Sequence, residues 1–243
     1  MSFNFSPRIV RDGLVLYLDA ANNKSYTSGS TNWIDLSTGL NNGALQNAPT
    51  FNGSNYGNIV FDGINEYASF STNPNLNFTG TSPYTLSVYA NIVTANATFP
   101  GFIKRENSSL VNPRIGYTFW FYKDNATQII TIASERWTGD NIQKLTFVNL
   151  NSTECINVWN QYTVTYENST LKFYLNGELK HTNPSATGNI TNTSLPLEIG
   201  RLSTDYGNFK LSNAMVYSKA LSQAEVAQNY NTLKNRFRLW VGE

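Results

Sequence analysis

From residue 13 onward, apolar and polar positions alternate over runs of four to eight residues, or apolar positions follow one another unbroken. Clusters of Gly, Asn, Pro and Ser separate the runs, which is the pattern of short β-strands joined by turns. "GLVLYLDA" (13 to 20) is almost continuously apolar, as expected of a strand covered on both faces. Residues 21 to 50 are mostly polar and read as a long loop with short extended pieces, anchored by Trp33 and Leu36. Strand patterns resume in "YTLSVYANI" (84 to 92), "RIGYTFWFY" (114 to 122), "QIITIAS" (128 to 134), "KLTFVNL" (144 to 150) and "WNQYTVTYE" (159 to 167).

The sharpest local signal is "LKFYLNGELK" (171 to 180). Asn176-Gly177 lies between two extended runs, and a type I′ turn needs positive φ at both central positions, which this pair adopts at least steric cost. The spacing predicts a hairpin with Lys172, Tyr174 and Glu178 on its outer face and Leu171, Phe173 and Leu175 turned inward. One segment carries a helical period instead. In "LSQAEVAQNYNTLKNRF" (221 to 237), Ser222 and Glu225 form a capping box, and Val226, Tyr230, Leu233 and Phe237 share a stripe that packs on a sheet. The class is all-β, with one short C-terminal helix. With no fixed-period repeat and no low-complexity linker, the 243 residues are expected to form one domain over 13–237, with an N-terminal arm (1–12) and a C-terminal tail (238–243) carrying Trp240.

Composition narrows the function. Lys plus Arg number 17 against 16 Asp plus Glu, a net charge of +1 with no basic cluster, so neither nucleic acid nor an anionic membrane is an expected partner. The 14 Tyr, 14 Phe and 5 Trp suit half-buried pleated surfaces. Asn makes up about one residue in seven against a few per cent in ordinary chains, which fits long polar turns. The many Asn-x-Ser/Thr triplets follow from that composition. Cys155 is the only cysteine and is read as a small buried side chain. "MSFNFSPRIVRDGLVLYLD" has no basic stretch followed by an apolar core, so no signal peptide is expected, and no window reaches the roughly 20 apolar residues of a membrane span.

Four stretches, in this order, resemble a known family: "DGLVLYLDAAN" (12 to 22), "GNIVFDGINEYASF" (57 to 70), "LKFYLNGEL" (171 to 179) and "AMVYSKALSQAEVAQNYN" (214 to 231). Together they are similar to a laminin G-like, concanavalin A-like jelly-roll domain. The resemblance implies two antiparallel sheets packed face to face as a sandwich over nearly the whole chain. It also implies that Asp62 in "FDG" accepts hydrogen bonds from turn amides rather than doing chemistry. Two places depart from the family pattern: Gly207-Asn208-Phe209 reverses the usual aromatic-then-glycine order, and Ser218-Lys219 replaces Asn-Arg.

Some jelly rolls hydrolyse glycosides, which requires two carboxylates about 5 to 9 Å apart across the sugar bond. No E-x-D-x-E triplet occurs, and Glu66, Glu106, Glu135, Glu154, Glu167, Glu178 and Glu198 are scattered one per segment, as solvated surface charge is. His181 is the only histidine, so Cys155-His181 is the sole nucleophile-base candidate, and no flanking motif supports it. No catalytic residue and no cofactor are expected. Calcium is left open by the resemblance: Asp140 with Asn141, Asp205 with Asn208, and Asp124 with Asn125 carry suitable oxygens, but each pair also reads as an ordinary turn.

Carbohydrate binding by such folds depends on an exposed ring stacked on the sugar, with polar groups fixing the hydroxyls. "SERWTGDN" supplies Arg136, Trp137, Asp140 and Asn141, and "STDYGN" supplies Asp205, Tyr206 and Asn208. Trp137 either stacks on sugar or closes a strand end onto the core, and Trp120 is read as packing. The resemblance extends to laminin G-like proteins of tailed-phage virions. It implies a structural or accessory virion protein that assembles in the host cytoplasm, contacts other subunits as a homo-oligomer through its termini, and holds host-surface glycans. A free-standing carbohydrate-binding module is the alternative.

Overall fold

The computed structural model describes residues 8–70, 72–95, 98–107, 114–138, 143–191 and 194–237, with the side chains of 143 and 144 excepted. The expected Trp240 tail and the first seven residues of the arm lie outside that set. The first half of the chain contributes strands β1 (Leu14–Asp19), β2 (Asn32–Trp33), β3 (Gly43–Gln46), β4 (Thr50–Asn52), β5 (Asn58–Asp62) and β6 (Tyr67–Phe70). Long strands follow: β7 (Tyr84–Thr94), β8 (Gly101–Glu106), β9 (Ile115–Lys123), β10 (Ile129–Thr138) and β11 (Gln143–Asn151). After a single helical turn, α1 (Ser152–Cys155), come β12 (Trp159–Glu167), β13 (Thr170–Leu175) and β14 (Glu178–Asn183). The chain closes with β15 (Glu198–Ile199), β16 (Arg201–Leu202), β17 (Asp205–Tyr206), β18 (Asn208–Tyr217) and α2 (Gln223–Leu233).

These strands form a two-sheet antiparallel jelly-roll sandwich. One sheet runs β14-β13-β12-β7-β18-β5-β4, with β1 also paired to β18; the other runs β11-β10-β9-β8-β15-β6-β3-β2. Sequence neighbours such as β6 and β7 fall in different sheets, so most stabilising contacts are non-local. The core between the sheets is strongly aromatic: Phe61, Phe102, Phe119, Phe121, Tyr162, Phe173 and Phe209 interleave there with aliphatic residues from both layers. Rings meet at offset or edge-on angles, as in Phe102 against Tyr162 (5.5 Å, 18°) and Phe209 (5.2 Å, 87°).

The two outer faces differ. That of the first sheet is covered by α2, whose Val226 and Leu233 pack with Tyr17, Tyr89, Tyr174, Met215 and Tyr217. Ser222 and Glu225 cap α2 reciprocally, as their spacing predicts. Lys219 bridges Asp12 (2.8 Å) and Glu225 (2.8 Å), tying the helix start to the chain start. Ile9 and Val10 join the same apolar cluster, and the Val10 N–H donates to Asn229 Oδ1 (2.8 Å), so packing begins before residue 13. Tyr174, expected on an open hairpin face, is roofed by α2. Among the described residues no helix covers the outer face of the second sheet.

The β13–β14 hairpin turns at Asn176 (φ 52°) and Gly177 (φ 82°), as the Asn-Gly pair predicts. The turn lies directly under α2, where a Cβ on Gly177 would sit 3.2 Å from Ala227 Cα. Both constraints act on one residue, so Gly177→Ala is expected to cost about 1–3 kcal/mol. An unchanged denaturant midpoint would show that neither constraint operates.

Candidate functional site

Alternation along β9 and β10 decides what the uncovered sheet presents. Tyr117, Phe119 and Phe121 point into the core, so Thr118, Trp120 and Tyr122 point out. Across the register, Trp137 lies opposite Gly116, Glu135 opposite Thr118, and Ala133 opposite Trp120. On the flanking strands Glu106 faces Gly116, and Leu145 faces Glu135. Gly116 holds φ 116°, and a Cβ there would collide with the Arg105 carbonyl, so the position between Glu106 and Trp137 is bare.

Arg114 binds over this row. Its Nε donates to Glu106 Oε2 (2.6 Å), its Nη2 lies 3.8 Å from Glu135 Oε2, and its guanidinium stacks 4.1 Å from the Trp137 ring centre. Trp137 Nε1 donates to Glu135 Oε2 (2.7 Å), which fixes the indole. The result is a groove of about 490 Å³. Trp120, Glu135, Trp137 and Leu145 form its floor, and Arg114, Phe99 and the β16–β17 turn (Leu202, Ser203, Asp205) form its walls. Phe99 is 44% exposed; its ring stacks on Tyr122 (4.8 Å, 15°) and meets Trp120 edge-on (5.3 Å, 85°). Asp205 Oδ2 accepts from the Phe99 N–H (3.1 Å), joining the two walls.

Of the residues expected to bind sugar, Trp137 and Asp205 line this groove. Tyr206 and Asn208 instead line a small polar pocket of about 110 Å³ with Asp62. Tyr206 Oη accepts from Arg201 Nη1 (3.4 Å). Arg136 corrects the expectation: alternation that turns Trp137 outward turns its neighbour inward. Arg136 is fully buried, with its guanidinium 3.6 Å from the Tyr166 ring centre and its Nη2 bonded to the Gly80 carbonyl (3.0 Å). Asp140 and Asn141 lie outside the described residues. Neither Phe99 nor Arg114 was singled out from the sequence; Trp120, read there as packing, is indeed buried on this face, with the Phe99 ring against it. The "TFWFY" alternation placed Trp120 and Tyr122 on one face, but nothing local marked Phe99.

The carboxylates also depart from expectation. Glu106 and Glu135 are almost fully buried, as are Glu66 and Glu198, although their spacing in sequence resembles solvated charge. Lys104 on β8 reaches Glu198 on β15 across the register, Arg201 reaches it from three residues on, Arg114 holds Glu106, and Glu66 accepts from the Asp62 N–H. Burial pushes the Glu106 carboxyl above the usual carboxylate range, against the opposing pull of Arg114. At Glu198 burial also pushes up, but bonds from Arg201 (2.6 Å) and Lys104 (3.1 Å) outweigh it and hold the acid below its ordinary value. Because the folded value is depressed, this stabilisation is present above the unfolded-state value and is lost as pH falls through the folded one. Glu198→Gln is therefore expected to flatten the acid limb of a stability-versus-pH curve; an unaltered limb would remove Glu198 from the account.

Asp62 is a turn residue, as the resemblance implied: its Oδ1 accepts from the Ile64 N–H (2.8 Å), and its own N–H donates to Glu66 Oε2 (2.8 Å). Cys155 is buried in α1, with its thiol pushed up to about 12 by that burial, while His181 Nδ1 bonds Thr146 Oγ1 (3.0 Å) and its ring packs on Phe147. They form no dyad. Among the described residues no three of His, Cys, Asp and Glu converge. Asp124 Oδ1 accepts from the Ala126 and Thr127 amides, as a turn residue does, and Asp205 Oδ2 accepts from the Phe99 amide. Among the described residues no helix is long and apolar enough to cross a membrane.

A second groove of about 560 Å³ runs between β13 and the start of α2. Its lining is polar and charged, including Glu167, Lys172, Lys219 and Glu225, and its one ring, Tyr174, is buried. It has no stacking surface.

Known proteins resemble this architecture. The binding domain of Paraclostridial Mosquitocidal Protein 1 superposes with a TM-score of 0.72 at 17% identity, covering 93% of this chain and 53% of that one. The binding domain of botulinum neurotoxin DC in complex with SialylT gives 0.68 at 14% (92% and 52%), and a botulinum neurotoxin type C structure gives 0.69 at 14% (92% and 52%). The chain thus spans about half the length of these structures, and at such identities the likeness is one of fold. No curated protein sequence matches. A family model described as the concanavalin A-like lectin/glucanases superfamily matches residues 62–227, more than half of the chain. That match takes in β7 to β18, including every strand under the aromatic groove, and the chain belongs to this superfamily.

Proposed function

We propose that the chain is a non-enzymatic carbohydrate-binding module and that it binds sugar in the groove on the uncovered sheet. The observation that carries this reading is the pairing of half-exposed Phe99 and Trp137 with Glu135, Asp205 and Ser203 around one opening. Apolar ring faces for the C–H side of a pyranose stand next to acceptors for its hydroxyls. Support comes also from the structural neighbours: one is complexed with SialylT, and cell entry of another depends on interaction with two ganglioside molecules. Against catalysis, Glu106 and Glu135 share one guanidinium, whereas a hydrolytic pair keeps an open span between its carboxyls. The test is a glycan array probed with the labelled full chain. Saccharide-dependent retention is expected, and none on any glycan would remove the reading.

A place on a virus particle, with residues 1–12 and 238–243 as contacts between subunits, rests on the sequence resemblance alone. Light scattering tests it on the full chain and on a chain lacking residues 1–7 and 238–243, a cut that spares Ile9 and Val10. An oligomer that falls to monomer would favour it; a monomer in both would remove it.

A further inference from the structure

The charges around the groove are already matched to one another. Arg114 is held by Glu106 (2.6 Å), with Glu135 at 3.8 Å. In the adjoining row Lys104 and Arg201 both bind Glu198, at 3.1 and 2.6 Å. Asp205 adds a further carboxylate at the rim, satisfied by a backbone amide rather than a cation. Among the described side chains on this face, then, three cations face four carboxylates. An acidic sugar entering here would meet a surplus of like charge. It would also have to break a desolvated ion pair to reach a guanidinium, which is costly because the carboxylate left behind is buried. The rings and the hydroxyl acceptors make no such demand on an uncharged pyranose.

From this we infer that the groove selects uncharged glycans and rejects sialylated or uronate-bearing ones, with the Arg114–Glu106–Glu135 cluster as the determinant. The inference rests on the carbohydrate-binding reading above. Arg114 then orients Trp137 and shields the carboxylates instead of receiving an anionic ligand.

The experiment uses the full chain and pairs of oligosaccharides that differ only by a terminal sialic acid, titrated at low and high salt. The neutral member is expected to bind at least about tenfold more tightly, with an affinity that salt leaves nearly unchanged. Glu106→Gln, which loosens the hold on Arg114, is expected to narrow that ratio; circular dichroism checks that this variant folds. A sialylated member that binds more tightly, with salt-sensitive affinity, would overturn the inference and leave the carbohydrate reading standing. A folded Glu106→Gln with an unchanged ratio would also overturn it. Failure of every saccharide to bind would remove the carbohydrate reading itself.

Discussion

Trp137→Ala is expected to weaken saccharide binding by more than about tenfold while leaving the protein folded. Removing a central aromatic anchor from a binding site commonly costs 2 kcal/mol or more, and about 1.4 kcal/mol is tenfold in affinity. The indole is only half-buried on an outer face, outside the core between the sheets, so its loss cuts few packing contacts. It also releases Glu135 Oε2 from a 2.7 Å bond and takes away the ring beneath Arg114. Trp137→Phe separates the two contributions: it keeps a stacking face and loses the Nε1 donor, so an intermediate affinity is expected. Titration calorimetry reads the affinity, and thermal unfolding reads the fold. Full affinity in a folded Trp137→Ala would show that sugar is bound elsewhere.

The largest stability effect is expected at Asp19, far from the groove. This carboxylate is almost fully buried at the end of β1, where it accepts from Tyr17 Oη (2.8 Å), the Ala21 N–H (3.1 Å) and both terminal nitrogens of Arg236 (2.8 and 2.9 Å). It thereby joins the first strand to the segment after α2. Asp19→Ala leaves four donors, from three residues, without their acceptor in a low-dielectric setting, and breaking a buried pair from one side costs about 3–5 kcal/mol. For a domain of this size that corresponds to a fall of roughly 10 °C in Tm. Arg236 is more exposed than Asp19 (28% against 2%), so a double-mutant cycle with Arg236→Ala is needed to isolate the coupling. A loss below about 1 kcal/mol for Asp19→Ala would mean that water replaces these bonds and that the link is not structural.

What the sequence made legible is what local patterns encode. The Asn176-Gly177 turn, the Ser222/Glu225 cap and the alternation of β7, β9 and β12 each depend on residues a few positions apart, and the structure has them where the spacing places them. β8 escaped notice because "GFIKRE" mixes apolar and charged residues; Arg105 and Glu106 are buried and Lys104 half-buried, with partners far off in sequence or outside β8 in Thr72, Arg114 and Glu198. β15, β16 and β17 are two residues each, too short to show a period. The site was half legible for the same reason. Trp137 and Asp205 were visible as residue types suited to sugar, but Arg136 was grouped with Trp137 although adjacent strand residues face opposite ways. The Arg114–Glu106–Glu135 cluster is a product of register across β8, β9 and β10, and Phe99 is positioned by Tyr122 and Asp205, 23 and 106 residues away. Neither relation has a counterpart in any short stretch of sequence.

The measurement that bears most directly on the central claim is a crystal structure of the chain with the tightest-binding oligosaccharide from the array. The expected result is a sugar ring lying between Phe99 and Trp137, with its hydroxyls within hydrogen-bond reach of Asp205 and Ser203. A saccharide seated between β13 and α2, or anywhere else with the aromatic groove left open, would contradict the account.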